Sequence, residues 1–304
     1  MKMIKRKFKG DIGELIFYSA LIALPLLQIA IFYFYVNFNS ILLAFQRYDP
    51  KDGFVFLDGN MWKNFLEIWK DLTGPSSSLL KELKNSFIVW FFTTGVGTFL
   101  AIVFAYYIYK KWPLAKTFKF FLFLPSVLPS ILLVGVFKFF VDNAIPGYIE
   151  AATGNYIGKM LNGDRLFPTV VFYNVWICFG AQLLIYTGAM DQIAPEVLEA
   201  GKVDGVTPIR EFFSLVIPMI LPTVSTFVIA NVATLFTNQA NLYGFFGAKL
   251  DDYDATLGYQ LYFYVSDEGA GSYPKASALG ILCTFIAFPL TMLVRRLLNG
   301  RGDE

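Results

Sequence analysis

Six stretches of the chain are apolar almost without interruption: about 12–38, 86–109, 118–141, 167–189, 213–237 and 276–298. A helix of roughly 20 apolar residues crosses the hydrocarbon of a bilayer, so each stretch is long enough to span. The pattern predicts an all-α polytopic membrane protein with six transmembrane helices. The third stretch contains Pro125 and Pro129. In lipid the backbone groups that proline frees can find other partners, so this helix is expected to be bent or to start late. The first stretch follows the basic run MKMIKRKFK. It is longer than the apolar core of a signal peptide and no small-x-small cleavage site follows it, which makes it a retained span.

Composition agrees with the pattern. The chain is 56% hydrophobic and 16% charged, with a mean hydropathy of +0.54, outside the range of soluble domains. Charge placement adds an orientation. With the N-terminus inside, the internal segments hold 14 of the 25 Lys and Arg, and the net charge is +5 inside against −3 outside. The basic loop KKWPLAKTFK and the tail RRLLNGR carry this bias, and positive loops stay in the cytoplasm; both termini are therefore placed there. The outer connections, 39–85, 142–166 and 238–275, are longer. The first contains a short amphipathic helix near Met61–Leu72 and a Gly-Pro-Ser break. None is apolar enough for its own core, so residues 1–304 read as one domain. Cys178 and Cys283 lie in apolar stretches without pairing or metal spacing and read as packing residues. With no histidine in the chain, imidazole chemistry is excluded.

One polar segment interrupts the apolar pattern between the fourth and fifth stretches: EVLEAGKVDGVTPIREFFSLVIPMILP, residues 196–222. Pro195 suits a first helical turn, Glu196 and Glu199 complement the N-terminal dipole, and Gly205 suits a turn with positive φ. Thr207 as N-cap and Pro208 at the next position open a second helix that runs into the fifth span. Taken by itself this helix–turn–helix is either a solvated amphipathic loop on the inner membrane surface or a docking element.

The segment resembles the EAA loop of binding-protein-dependent ABC importer permeases: Glu-Ala-Ala, three residues, Gly, nine residues, then Ile-x-Leu-Pro. Glu199, Ala200, Gly201, Gly205, Leu215, Ile217 and Pro218 reproduce that spacing, with Gly201, Leu215 and Ile217 departing from the usual residues. A glycine at 201 softens a helix by roughly 1 kcal/mol relative to alanine. DQIAPEVLEAGKVDGVTP looks like the sugar-permease version, and the six-span framework is similar to the carbohydrate-uptake permeases related to the maltose system. The resemblance implies a coupling loop at 191–212 that docks on an ATPase, with Glu199, Ala200, Gly201, Lys202, Asp204 and Gly205 at the contact. It implies two ATPase subunits or domains, a second permease as heterodimer partner, an extracytoplasmic solute-binding protein and location in the bacterial cytoplasmic membrane. The chain carries no Walker A sequence. No cofactor is expected in it, ATP and Mg being bound by the ATPase, and no catalytic role, metal or nucleic acid is implied.

Substrate-path residues are sought among polar side chains inside the spans. Asn174 and Gln182 lie eight apart on one helical face, with Trp176 nearby; Asn231, Thr234 and Asn238 form a stripe at i, i+3 and i+7, extended by Gln239. Neutral amides beside aromatic rings suit a neutral sugar; the same residue types also join helices in membranes. Apart from Lys138, the span interiors carry essentially no charge. An ion-coupled secondary carrier for a neutral solute is the alternative, and it calls for intramembrane charges. A membrane scaffold without a path is the third reading.

Overall fold

A computed structural model describes residues 12–74, 77–250 and 254–299. The basic start, Pro75 and Ser76 of the Gly-Pro-Ser break, and the tail beyond Asn299 lie outside the described residues. Six helices among the described residues are long and apolar enough to cross a membrane: Ile16–Leu43, Ser78–Tyr109, Ser130–Thr153, Gly163–Asp191, Pro208–Ala233 and Ala270–Leu298. These are spans one to six in chain order.

The third span differs from the sequence expectation of 118–141. The apolar run breaks at Leu128, ψ 145°, and Pro129, ψ 131°. Proline has no N–H to donate and pushes the residue before it into extended backbone, so a separate helix, Ala115–Val127, precedes the break. Pro125 stays inside that helix. The span proper begins at Ser130 and continues to Thr153, past the expected end, until Gly154 stops it at φ +74°. Helix Ala115–Val127 lies against span four, where a Cβ on Gly180 would sit 2.5 Å from the Leu122 carbonyl oxygen. Close backbone approach at small residues is how membrane helices gain contact when lipid and side chain are equally apolar.

The connection between spans one and two holds two elements. Strands Gln46–Asp49 and Gly53–Phe56 pair antiparallel, Gln46 opposite Phe56 and Asp49 opposite Gly53, so the all-α expectation gains one hairpin. Its turn is closed by the Lys51 N–H donating to Asp49 Oδ1 at 2.9 Å. The expected amphipathic helix runs Lys63–Thr73 and buries Asn64 and Ile68. Asn64 Nδ2 donates to the carbonyls of Ala44 and Gln46 at 2.8 and 2.9 Å, tying the helix to the end of span one.

Spans two to six form the packed body. Val89, Val134, Phe137, Val170, Tyr173 and Phe245 make one cluster, joining spans two, three and four to the short helix Leu242–Phe246. Ala101, Tyr106, Tyr186, Met190, Phe212 and Ile220 make a second at the opposite end. A third holds span six, with Leu235, Phe236, Leu257 and Leu279. Cys283 belongs to it and Cys178 is part-buried, both as free thiols.

Candidate functional site

Spans two, four and five leave a cavity of about 200 Å3 between them, lined by Trp90, Thr93, Thr94, Asn174, Asn231 and Asn238 among others. Each span contributes for a local reason. In span two the helix widens into a π-helical turn over Phe91–Gly97; such turns shift side chains out of α register. Thr93 Oγ1 donates back to the Val89 carbonyl at 2.8 Å. The buried Thr94 Oγ1 and Trp90 Nε1 have no hydrogen-bond partner among the described residues. A buried polar group left so is costly unless water or a guest satisfies it.

Span five is displaced towards the N-terminus relative to the expected 213–237, running Pro208–Ala233. It ends at Ala233, so Asn231, Thr234 and Asn238 do not form one helical stripe. The chain turns instead: Thr237 and Asn238 N–H groups both donate to the Thr234 carbonyl, and Ala240 and Asn241 take positive φ. The turn still delivers Asn231, Thr234, Asn238 and Asn241 to the cavity. It is held from behind, because Thr256 Oγ1 donates to the Asn238 carbonyl at 3.1 Å and Gly258 packs directly on the backbone of residues 237 and 238.

The other expected path residues divide. Asn174 lines the cavity, yet its Nδ2 donates to the Val170 and Ala240 carbonyls, both at 2.8 Å, and its Oδ1 accepts from Asn241 at 3.0 Å. Its amide is thus spent on joining span four to the turn, the helix-joining role of buried amides. Gln182 does not line the cavity; it accepts from Thr98 Oγ1 at 3.3 Å. Trp176 stacks on Phe137 with ring centroids 6.2 Å apart and also lies off the cavity, as does Gln239. Sequence reasoning missed Ser86, Trp90, Thr93 and Thr94. The available signal was the polar pair in FFTTGVG, in the middle of an apolar run.

Lys138, the one intramembrane charge singled out above, donates to the Phe245 carbonyl at 2.7 Å and lies 5.4 Å from the Phe246 ring centre. That carbonyl belongs to the last turn of the helix Leu242–Phe246, where partial negative charge favours a cation.

The polar segment between spans four and five is a short helix, Pro195–Val203, followed by Gly205 at φ +72°. Gly205 N–H donates to the Lys202 carbonyl and Val206 N–H to the Gly201 carbonyl. This pair of bonds is a Schellman ending, which needs a left-handed residue at its centre. Leu198 and Gly201 face inward, whereas Glu199, Ala200, Lys202, Val203 and Asp204 are exposed. Val203 is 87% exposed and Ile209 is 74% exposed, an apolar pair on either side of the Gly205 turn. Thr207 holds the N-cap position of the next helix by its backbone, without a side-chain cap bond. Glu211, one turn further on, is buried and ion-paired with Lys110 of the span-two terminus at 2.8 Å; sequence reasoning did not single it out.

Six helices able to cross a membrane, a neutral polar cavity between the second, fourth and fifth, and a capped polar helix between the fourth and fifth define a polytopic membrane transport component. Residues 97–299 match the family described as binding-protein-dependent transport system inner membrane component, and the chain belongs to that family. Among relatives, it is 23% identical to the polygalacturonan/rhamnogalacturonan transport system permease protein YteP of Bacillus subtilis (strain 168), over 94% of this chain and 89% of the relative. It is 26% identical to the inner membrane ABC transporter permease protein YcjO of Escherichia coli (strain K12), over 71% of this chain and 74% of the relative. The fold superposes with a TM-score of 0.76 on a chain of a bacterial ABC transporter involved in the import of the acidic polysaccharide alginate, at 15% identity, covering 96% and 97% of the two chains. The protein is thus an inner membrane transport permease rather than an enzyme, and the ion-coupled carrier and scaffold readings are set aside.

Proposed function

We propose that this chain is one of two permease subunits that together form the path of an ATP-driven saccharide importer. ATP and Mg are bound by separate ATPase subunits, and an extracytoplasmic binding protein delivers the sugar. The observation that carries the substrate class is the cavity lining of hydroxyls, amides and the Trp90 ring, without a Lys, Arg, Asp or Glu among its residues. A saccharide presents hydroxyls that exchange hydrogen bonds with such groups and flat C–H faces that lie on an aromatic ring. The naming of YteP for polygalacturonan and rhamnogalacturonan transport points to the same class.

The end of the bundle bearing Lys110, Lys111, Lys116 and helix Pro195–Val203 is assigned to the cytoplasm by its Lys and Arg excess. There the helix offers Glu199, Ala200, Lys202 and Asp204, with Val203 and Ile209, to the ATPase, and the tight ending at Gly205 ties it to span five. A short rigid helix joined to a span passes on a displacement as a rigid body.

The test is ATP-dependent uptake of a panel of labelled mono- and oligosaccharides by the complex reconstituted with its co-expressed ATPase, second permease and binding protein. At least one saccharide is expected to enter, and Asn231→Leu is expected to lower its uptake by up to about tenfold while the complex still assembles. Assembly and ATP hydrolysis without uptake of any saccharide in the panel would remove the sugar assignment. In the same preparation Glu199→Ala and Gly205→Pro are expected to weaken ATPase retention. Full retention in both variants would show that the ATPase docks elsewhere.

A further inference from the structure

The contact between Glu211 and span two lies outside the cavity and outside the exposed docking face. Glu211 is 4% exposed. Both its oxygens accept from Lys110 Nζ, at 2.8 and 3.1 Å. Tyr106 OH lies 3.1 Å from Glu211 Oε1 and 3.1 Å from the Pro208 carbonyl oxygen, so it grips side chain and backbone of the same turn. The Tyr106 ring packs on Phe212 with centroids 4.9 Å apart. Tyr106 and Lys110 are one helical turn apart at the end of span two. Pro208 and Glu211 form the first turn after Gly205. Two spans are therefore joined by a buried charged contact at the place where the helix Pro195–Val203 hands over to span five.

Burying an ion pair removes two charges from water, and well-packed apolar residues of similar volume commonly replace such a pair without loss of stability. Stability alone gives little reason for a carboxylate here; a directional joint gives a better one. The two routes leading away from the joint also differ in stiffness. Span five continues as a π-helical turn over Phe212–Val216 and then carries Pro218 and Pro222, each of which removes a backbone bond of the helix. Span two has a π-helical turn of its own over Phe91–Gly97, but it is α-helix from Thr98 to Tyr109 and carries no proline anywhere from Ser78 to Tyr109. Twelve residues separate Tyr106 from Thr94 in the cavity wall, about 18 Å along a helix.

We propose that Tyr106, Lys110 and Glu211 form a latch through which displacement of the segment Pro195–Glu211 moves span two, and with it the cavity wall that Trp90, Thr93 and Thr94 supply. This rests on the reading of Pro195–Val203 as the ATPase-docking helix. The three latch residues are positioning residues: they touch neither the cavity nor the exposed face of the docking helix. The span-two side of the cavity is the side that follows the ATPase, and span five serves as the linkage that brings the latch into register.

A native reporter exists. Cys178 Sγ lies 3.8 Å from the Thr93 carbonyl oxygen, on the cavity side of span four, and Cys178 lines the cavity. A shift of span two alters its access. In the full complex in nanodiscs, with Cys283→Ser as background, the rate of Cys178 modification by a methanethiosulfonate reagent is compared without nucleotide and with ATP plus vanadate. The native latch is expected to give a large ATP-dependent change in rate. The paired substitution Lys110→Met with Glu211→Met keeps volume and leaves no unpaired charge. It is expected to retain the ATPase and its hydrolysis while losing about tenfold of the ATP-dependent change, the size of a typical coupling between sites. Tyr106→Phe, which keeps the ring packing, is expected to lose part of it. If the paired variant keeps the native change in full, the latch is structural only and the proposal is overturned. If the native complex itself shows no ATP-dependent change at Cys178, the docking-helix reading fails, and the latch falls with it.

Discussion

At Gly205 a single residue decides whether the helix Pro195–Val203 ends where it does. Its φ of +72° is a left-handed conformation that costs an L side chain about 1–2 kcal/mol, so Gly205→Ala is expected to lower stability by about 1 kcal/mol, read as a fall in the thermal midpoint of the detergent-solubilised protein. Gly258 is more demanding, because a Cβ there would overlap the backbone of Thr237 and Asn238. Backbone cannot rotate aside, and Gly258→Ala is expected to cost on the order of 3 kcal/mol by the same measurement. Gly201 differs again. A Cβ at 201 would meet Leu215 Cδ1 at 2.9 Å, so two of the three departures from the EAA pattern touch each other. Gly201→Ala and Leu215→Ile are each expected to destabilise, and the double variant to recover about 0.5–1 kcal/mol of the sum, a coupling that a double-mutant cycle measures. The departures were legible in the sequence. That they meet was not, because fourteen positions separate them along the chain.

Among elements, the long apolar runs were readable because each must satisfy its own backbone in lipid; their ends were not. Span three began twelve residues later than the pattern suggested, and span five stopped at Ala233. In both cases the residues past the break are still apolar or weakly polar, and tertiary partners decide: the Ala115–Val127 helix finds span four, and the turn after Ala233 finds Thr256 and Gly258. The helix Lys63–Thr73 was legible from its amphipathic period, but the bonds that seat it were not. Asn64 supplies a buried carbonyl and a part-buried one with a donor, whereas Asp71 makes a 2.8 Å pair with Lys275 that is partly exposed. Asn64→Leu is expected to destabilise by about 2 kcal/mol, since one buried and one part-buried acceptor lose their donor. Asp71→Asn is expected to change stability by less than about 1 kcal/mol. The reverse order in a denaturation series would mean that the helix Lys63–Thr73 is held by charge.

For the whole molecule, span one stands apart. Its described side chains from Ile16 to Ser40 are all exposed, whereas spans two to six pack on one another. Topology is tested with single cysteines in a background lacking Cys178 and Cys283: Lys51→Cys is expected to react with an impermeant maleimide on intact cells, and Lys116→Cys only after permeabilisation. The opposite pattern would invert the orientation and move helix Pro195–Val203 away from the ATPase. What the sequence determined by itself was the class of molecule, the six crossings, and the spacing of the segment between spans four and five, because these follow from local apolar length, basic loops and fixed turn chemistry. The tertiary structure decided which polar residues meet. Asn174 was occupied by helix joining, Trp176, Gln182 and Gln239 were left off the cavity, and Trp90, Thr93 and Thr94 entered it. Lys110 met Glu211 across a hundred residues. A period says which side of its own helix a residue takes; what lies on that side is set by how neighbouring helices cross and where each breaks.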